Sequence, residues 1–498
     1  MLCHVIWSSL PLPVIFQRIV DFLLDLSVSP GIHRRVTSLV VFFGCAVLRF
    51  RYTDKQQTLG SQLRTVLQCG SRSCCLRQAW ISEEAGAMSG EPLPPLTKDD
   101  LEELLHSKVD SFTISPLTAP GENYGSTMLL VDITLPDHKK KSIVAKMVSE
   151  FPHMREFFRF RETVRKEIYT YRLVRPEFLA IQKEHKIPED LFLDVIPECY
   201  GARTSRGGGI DQPVDESSVI LMENLKESGY RLADRIVGLD LKHLEYVVTR
   251  LARFHATATV LKLKKPEVFR DTVMKAAAEF NRAPPPDGGE DKGPEGILDT
   301  LSDLPVVQRF MARLKEVMAK EYAQFKKGEF PKPREPFATL LHNDFWTNNM
   351  MFSYGGSIGE EITGVKIFDF QLAAYGSPVR DLLFLLYSSR SLNVTKEDCD
   401  DLIRLYHNEF IKWLELFGCD TELFNYDKFM KEVETEAPVC FPRAFIMLRI
   451  SSVPSSNAPD LSKVSEKHKI FRSNSGLGEV YFQKVEKLVL ECVERNWI

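Results

Sequence analysis

The stretch from Leu341 to Asp381, LHNDFWTNNMMFSYGGSIGEEITGVKIFDFQLAAYGSPVRD, places two polar clusters at the ends of a predicted hairpin. The first is His342-Asn343-Asp344-Phe345-Trp346-Thr347-Asn348-Asn349. Asn349 follows Asp344 by five positions, close enough for one loop to aim both side chains at the same point. The second is Ile367-Phe368-Asp369-Phe370, an apolar strand that delivers a single acid. Met350-Met351-Phe352 starts the intervening strand, and Tyr354-Gly355-Gly356 supplies its turn. The plain alternative is a surface hairpin with an ordinary Asp at each end, and the acid on the apolar strand weighs against it.

The order H-x-D-x-x-x-x-N resembles the catalytic loop of the protein-kinase superfold. In such a site an Asp takes the proton of the acceptor hydroxyl, while an Asn and a second Asp hold Mg²⁺ on the phosphates. The resemblance therefore implies Asp344 as base, with Asn349 and Asp369 as metal ligands. More specifically, HNDFWTNNMMF followed by KIFDFQLAAYGSPVRDLLFLL resembles the ecdysteroid kinase-like (CHK kinase-like) family, relatives of choline kinases and aminoglycoside phosphotransferases, over about residues 93 to 490. That likeness implies an α+β, protein-kinase-like two-lobed fold, with a small antiparallel-sheet N-lobe and a mostly helical C-lobe. It also implies ATP- and Mg²⁺-dependent phosphorylation of a hydroxyl on a small molecule, an ecdysteroid or another hydroxylated lipophile. His342 and Asp381 are expected as support: Asp381, before LLFLLY, either caps that helix or holds the catalytic loop by hydrogen bonds.

The 498 residues suffice for a two-lobed core plus an extension, and 44% hydrophobic with 27% charged residues is ordinary globular composition. A net charge of -4 gives no general attraction to phosphate backbones, so nucleic acid is not an expected partner. The ten cysteines are scattered without CxxC spacing and read as free thiols in a reducing compartment. The apolar run Val36 to Leu48, 13 residues long, falls short of the roughly 18 to 20 that span a bilayer, so no transmembrane helix is predicted.

Residues 1–87 differ from all that follows: they lack a basic region before the apolar start and a small-residue cleavage site, so they make a poor secretory signal. Arg outnumbers Lys there, as in a mitochondrial presequence, but Asp21 and Asp25 count against one. The expected reading is a poorly ordered or loosely packed extension outside the catalytic fold of a cytoplasmic protein, with Met88 as the natural start.

The N-lobe is assigned to residues 88–222. It opens with a helix over Leu96–Leu105, N-capped by Thr97 with Asp99 and Asp100 in its first turn. Strands follow at Phe112–Leu117, Met128–Leu135 and Lys141–Val148. The loop Gly121-Glu122-Asn123-Tyr124-Gly125-Ser126 has few bulky side chains, so its backbone N–H groups can approach nucleotide phosphates, although a plain turn has the same composition. Ile143-Val144-Ala145-Lys146 resembles V-A-I-K, in which Lys146 reaches the α and β phosphates. A helix over Met154–Leu173 has Phe157, Phe160, Val164, Ile168 and Tyr171 on its apolar face, with Glu167 at the edge, able to turn inward toward Lys146 or to stay solvated. Val195–Tyr200 and Ser218–Met222 read as two further strands.

The C-lobe is assigned to 223–498. Glu223-Asn224-Leu225 stands where the family's lobe connector runs, so main-chain groups near Glu223 and Leu225 are expected on the adenine edge. Helices are read over His243–Ala258, Leu304–Phe325, Asp400–Phe417 and Tyr481–Arg495, with His255 a structural core histidine. Ala283–Gly296, rich in Pro, Gly and acids, is an exposed loop. Trp346, Phe345, Phe441 and Phe445 are candidates for an apolar acceptor cleft, although aromatics at such positions more often form core.

Two rival functions stand beside small-molecule phosphorylation. A protein kinase needs a long activation segment and an A-P-E sequence, whereas only twelve positions separate Asp369 from Asp381, and Gln371 stands where protein kinases have Gly. A ligand-binding or scaffolding pseudokinase would normally lack one of Lys146, Glu167, Asp344, Asn349 and Asp369, and all five are present. A hydroxylated small molecule is the expected partner, with no obligate protein partner.

Overall fold

The computed structural model describes residues 38–43, 46–51, 95–117, 125–279, 295–327, 331–356, 361–454 and 474–498. Its contacts divide the chain into two units, Met1–Ser89 and Gly90–Ile498. In the first, β1 (Ser38–Phe43) and β2 (Ala46–Arg51) pair as an antiparallel hairpin, as their β-branched and aromatic residues favour. The rest of the 1–87 segment lies outside the described residues.

The second unit is an α+β fold with a five-stranded antiparallel sheet followed by a mostly helical C-terminal part. Helix α1 (Lys98–Leu105) begins at the expected cap: Thr97 and Asp100 form a reciprocal capping box. The sheet comprises β3 (Ser111–Pro116), β4 (Ser126–Thr134), β5 (Lys140–Val148), β6 (Cys199–Arg203) and β7 (Val219–Glu223), in the order β3-β4-β5-β7-β6. Alternation along the central strands explains how it is buried. Ile143, Ala145, Val219 and Leu221 face a core shared with Leu101 and Leu104 of α1, whereas Val144, Ile220 and Met222 face the main core. Lys146, two residues after Val144, therefore emerges on the side of the larger core. At Gly201 a Cβ would overlap the Leu104 carbonyl oxygen, so only glycine lets α1 close on β6.

Three sequence expectations need correction here. The helix over Met154–Leu173 is instead α2 (Pro152–Phe157) and α3 (Phe160–Tyr169), broken where Arg159 adopts φ 50°, then a π turn over Thr170–Val174 that leads into α4 (Arg175–Glu184). Pro176 has no N–H to offer the carbonyl four residues earlier, and the π turn absorbs that lost bond instead of ending the helix. The break also takes Phe157 off the apolar face, leaving it 51% exposed. The strand expected at Val195–Tyr200 runs over Cys199–Arg203 instead, because Pro197 cannot donate to a ladder; Val195 is buried and its carbonyl accepts from Ile367 N.

The third correction lies in the helical part. Its helices are α5 (Leu241–Lys264), α6 (Pro305–Lys327), α7 (Val379–Ser389), α8 (Lys396–Leu416), α9 (Tyr426–Ser452) and α10 (Glu479–Glu494), with shorter turns between them. No element is assigned to Tyr426–Ser452 from the sequence, and the helix there carries Pro438 and Pro442 in its interior. Interior prolines cost about 3 kcal/mol each, and here the burial of Phe429, Val433, Phe441, Phe445 and Leu448 along one face offsets that cost. The Ala283–Gly296 loop lies mostly outside the described residues.

The decisive hairpin is formed by β9 (Met350–Gly355) and β10 (Glu361–Ile367), and β8 (Thr339–Leu341) pairs antiparallel with β11 (Ala374–Gly376). The second pairing pins the short segment after Asp369 onto the strand that leads into the His342–Asn349 segment. Among the described residues no helix is long and apolar enough to cross a membrane, and Cys199, Cys399, Cys419, Cys440 and Cys492 are free.

Candidate active site

Strand β5 and helix α3 meet at a buried ion pair: Lys146 Nζ lies 2.7 Å from Glu167 Oε2 and 2.7 Å from Asp369 Oδ1. Burial opposes the lysine's charge, but Asp369 and Glu167 outweigh that penalty and hold the ammonium protonated. Glu167 is 1% exposed. Burial drives its carboxyl above the ordinary range despite Lys146. Of the two orientations that its place on the helix edge left open, solvated or turned inward, the structure has the inward one.

Asp369 takes a left-handed conformation, φ 69°, at the end of β10, and Phe370–Leu372 follow as a 3₁₀ turn. The turn places the Phe370 ring against His342, with centroids 4.7 Å apart, while Gln371 Nε2 reaches Asp369 Oδ2 at 3.5 Å. His342 is wholly buried. Its Nε2 donates to the Phe368 carbonyl at 2.8 Å and its Nδ1 faces the Asp344 amide at 3.3 Å.

Asp344 is half-buried, and Asn349 Nδ2 donates both to its carbonyl, at 2.8 Å, and to its Oδ2, at 2.9 Å. Burial raises the Asp344 carboxyl, with His342 and the Asn349 bond acting in the other direction. Asn349 thus spends its amide nitrogen on Asp344 and leaves Oδ1 for another partner. Among the described residues no three of His, Cys, Asp and Glu cluster as a metal site. Asn349 Oδ1 and Asp369 Oδ2 are the oxygens that could hold Mg²⁺ here, a cation that usually takes one or two protein ligands and completes its shell with phosphates and water.

Asp381 is 1% exposed in the first turn of α7. It accepts His342 N–H at 2.7 Å, Asn343 N–H at 2.8 Å and His255 Nε2 at 3.2 Å. Burial alone would raise its carboxyl, but His255, His342 and the Asn343 amide bring it below the usual range. Of the two roles open to it, cap or loop anchor, the geometry is that of the anchor. His255 is fully buried between Asp381 and Tyr406 Oη, 2.7 Å from its Nδ1, and burial keeps it neutral.

Gly125 and Ser126 open β4 and line a small cavity with Lys146, Glu167, Ser218 and Gln371; Gly121 lies outside the described residues. At the connector, Glu223 N–H is taken by the Glu198 carbonyl and the Leu225 carbonyl by Tyr230 N–H. The Leu225 N–H has no partner among the described residues. Phe345, Phe441 and Phe445 are core residues, at most 2% exposed, and Trp346 is half-buried. Sequence reasoning missed Arg443 of α9, whose guanidinium bonds Asn343. No local signal marks it, because it meets the loop only through a helix that was not expected.

None of the curated proteins matches the chain. Two solved structures resemble it at 14% identity: the streptomycin–ATP–APH(2")-IIa ternary complex, covering 68% of this chain and 87% of that one with a TM-score of 0.30, and the gentamicin–APH(2")-IIa complex, covering 66% and 97% with a TM-score of 0.26. The model of the ecdysteroid kinase-like family matches residues 120–419, spanning both the Lys146–Glu167 pair and the Asp344–Asp381 segment, and the chain belongs to that family.

Proposed function

We propose that this protein transfers the terminal phosphoryl group of ATP to a hydroxyl of a small, lipophilic molecule such as an ecdysteroid or another hydroxylated metabolite or xenobiotic. The observation that carries the reading is the ion pair of Lys146 with Glu167 and Asp369, formed across chain segments 223 residues apart. It holds a protonated amine against the Asp369 carboxylate, while Asn349 spends its amide nitrogen on Asp344. In this reading Lys146 steadies the α and β phosphates and Glu167 fixes the lysine. The backbone at Gly125 and Ser126 approaches the phosphates, and the Leu225 N–H meets the adenine edge. Asn349 and Asp369 would hold Mg²⁺, which supplies charge neutralisation on the phosphates. Asp344 accepts the acceptor hydroxyl's proton as the oxygen attacks phosphorus, and its Oδ1 takes no part in the Asn349 bonds.

Residues 88–222 then serve as the nucleotide-binding lobe and 223–498 as the acceptor-binding lobe, with 1–87 outside the chemistry of a cytoplasmic enzyme that needs no protein partner. The short segment from Asp369 to Asp381, paired through β11 with β8, favours a permanently assembled metal site over a phosphorylation-switched one. The test is ATP turnover with Mg²⁺ across a panel of hydroxylated compounds, with wild type beside Asp344→Ala. The variant should keep its affinity for a nonhydrolysable nucleotide while turnover falls by roughly 10² to 10⁴. Nucleotide binding without turnover on any acceptor would instead favour a scaffold.

A further inference from the structure

Asn343, the middle residue of the His342-Asn343-Asp344 triplet, has φ 62° and is 6% exposed. Asn is one of the few residues besides glycine that visit the left-handed region, and in a buried loop its surroundings must hold it there. Four hydrogen bonds do so. Asn343 N–H donates to Asp381 Oδ1 at 2.8 Å and Asn343 Nδ2 to the Leu372 carbonyl at 3.0 Å. Arg443 supplies the other two: its Nη1 donates to Asn343 Oδ1 at 2.8 Å and its Nη2 to the Asn343 carbonyl at 2.5 Å.

The Asn343 carbonyl belongs to the peptide unit whose nitrogen is that of Asp344. Fixing this oxygen therefore fixes the peptide plane from which the Asp344 side chain departs. On the other edge of the same plane, the Asp344 N–H makes only a long bond, 3.3 Å, to His342 Nδ1. The fork from α9 is thus the firmer of the two anchors. Through Asn343 Nδ2 the same fork is tied to the 3₁₀ turn that follows Asp369. One guanidinium so holds the loops of Asp344 and Asp369 in a common frame.

We propose that Arg443 is a positioning residue for phosphoryl transfer, setting the direction of the Asp344 carboxylate through the Asn343–Asp344 peptide plane. The proposal rests on the reading of Asp344 as base. A two-pronged donor is required, and lysine, a single point donor, cannot reproduce it. Arg443 is itself half-buried, at the edge of the core and not inside it, which makes its replacement a local perturbation.

The experiment compares Arg443→Met and Arg443→Lys with the full-length wild type in steady-state kinetics, with and without added guanidinium chloride at low concentration, and in amide hydrogen exchange. Both variants should lose about 10²-fold in kcat, the scale of a small misplacement of a reacting group. KM for ATP should change by less than about threefold, as for an interaction that acts in the chemical step. Guanidinium should restore part of the Arg443→Met loss. Exchange at His342, Asn343 and Asp344 should quicken by about tenfold while β5 and α5 keep wild-type protection, as for a local opening. A kcat within about twofold of wild type, or faster exchange spread equally over β5 and α5, would overturn the proposal. If the wild type turns over no acceptor, the kinase reading alone fails. Exchange at residues 342–344 then still decides Arg443: local quickening upholds its anchoring role, and unchanged exchange refutes it.

Discussion

Replacing Asp381 by Asn changes almost no volume, so its effect isolates hydrogen bonding and charge. Two backbone donors, His342 N–H and Asn343 N–H, point at separate carboxylate oxygens, at 2.7 and 2.8 Å, in a site 1% exposed. An amide keeps one oxygen and presents NH₂ in place of the other, so whichever way it turns, one backbone N–H faces another donor with no water at hand. A hydrogen bond to a charged group contributes about 1.5–3 kcal/mol, and an orphaned buried donor costs about 1–3 kcal/mol. Relief from burying the Asp381 charge offsets part of that sum, leaving an expected loss of about 2–4 kcal/mol at neutral pH. Chemical denaturation followed by fluorescence measures it. The pH dependence adds a second check. Because the Asp381 carboxyl is held below the ordinary range, the unfolded chain binds its proton first, and the stability it contributes is present above the unfolded value near 3.8 and lost as pH falls through the folded one. The gap between wild type and Asp381→Asn should therefore narrow on acidification below about pH 4. A variant within about 0.5 kcal/mol of wild type at neutral pH, or a gap that widens in acid, would refute this reasoning.

Asp369→Asn should weaken Mg²⁺-dependent nucleotide binding more than acceptor binding, because it removes the carboxylate that pairs with Lys146 and is proposed to hold the metal; titration with and without Mg²⁺ checks this, and unaltered metal dependence counts against the assignment. Gly201→Ala drives a Cβ into the Leu104 backbone and should cost about 1–3 kcal/mol, read from denaturation midpoints, as overpacking against an immovable neighbour does. Lys484 is buried on α10, its Nζ donating to the Ile236 carbonyl at 2.9 Å, and burial pushes its amine down to about 8 from 10.5. Between those values the unfolded chain holds a proton that the folded chain has released, so stability should rise with pH across that window in wild type and stay flat in Lys484→Met, as urea midpoints at the two ends would report.

What the sequence disclosed and what it hid divide along a physical line. The strands from residue 111 to 148 and the cap at Thr97 are local: period-two burial and a single side-chain oxygen decide them, and each lies within about two residues of where the chain itself suggests. The polar residues Asp344, Asn349 and Asp369 stand out in the sequence for a related reason, since charged and amide groups next to apolar strands need partners that an ordinary solvated loop does not supply. The left-handed Arg159, the π turn before Pro176 and the helix through Pro438 and Pro442 are the reverse. In each, local preference argues against the observed backbone, and the residues that outweigh it are distant in sequence. Arg443 depends on both kinds of failure at once. Only if α9 continues past Pro438 and Pro442 does residue 443 reach a loop a hundred positions earlier, and only if Asn343 is left-handed do its two oxygens face the guanidinium. A kinase-like loop can therefore be recognised from its own residues, while the groups that aim it come from packing that no short window contains.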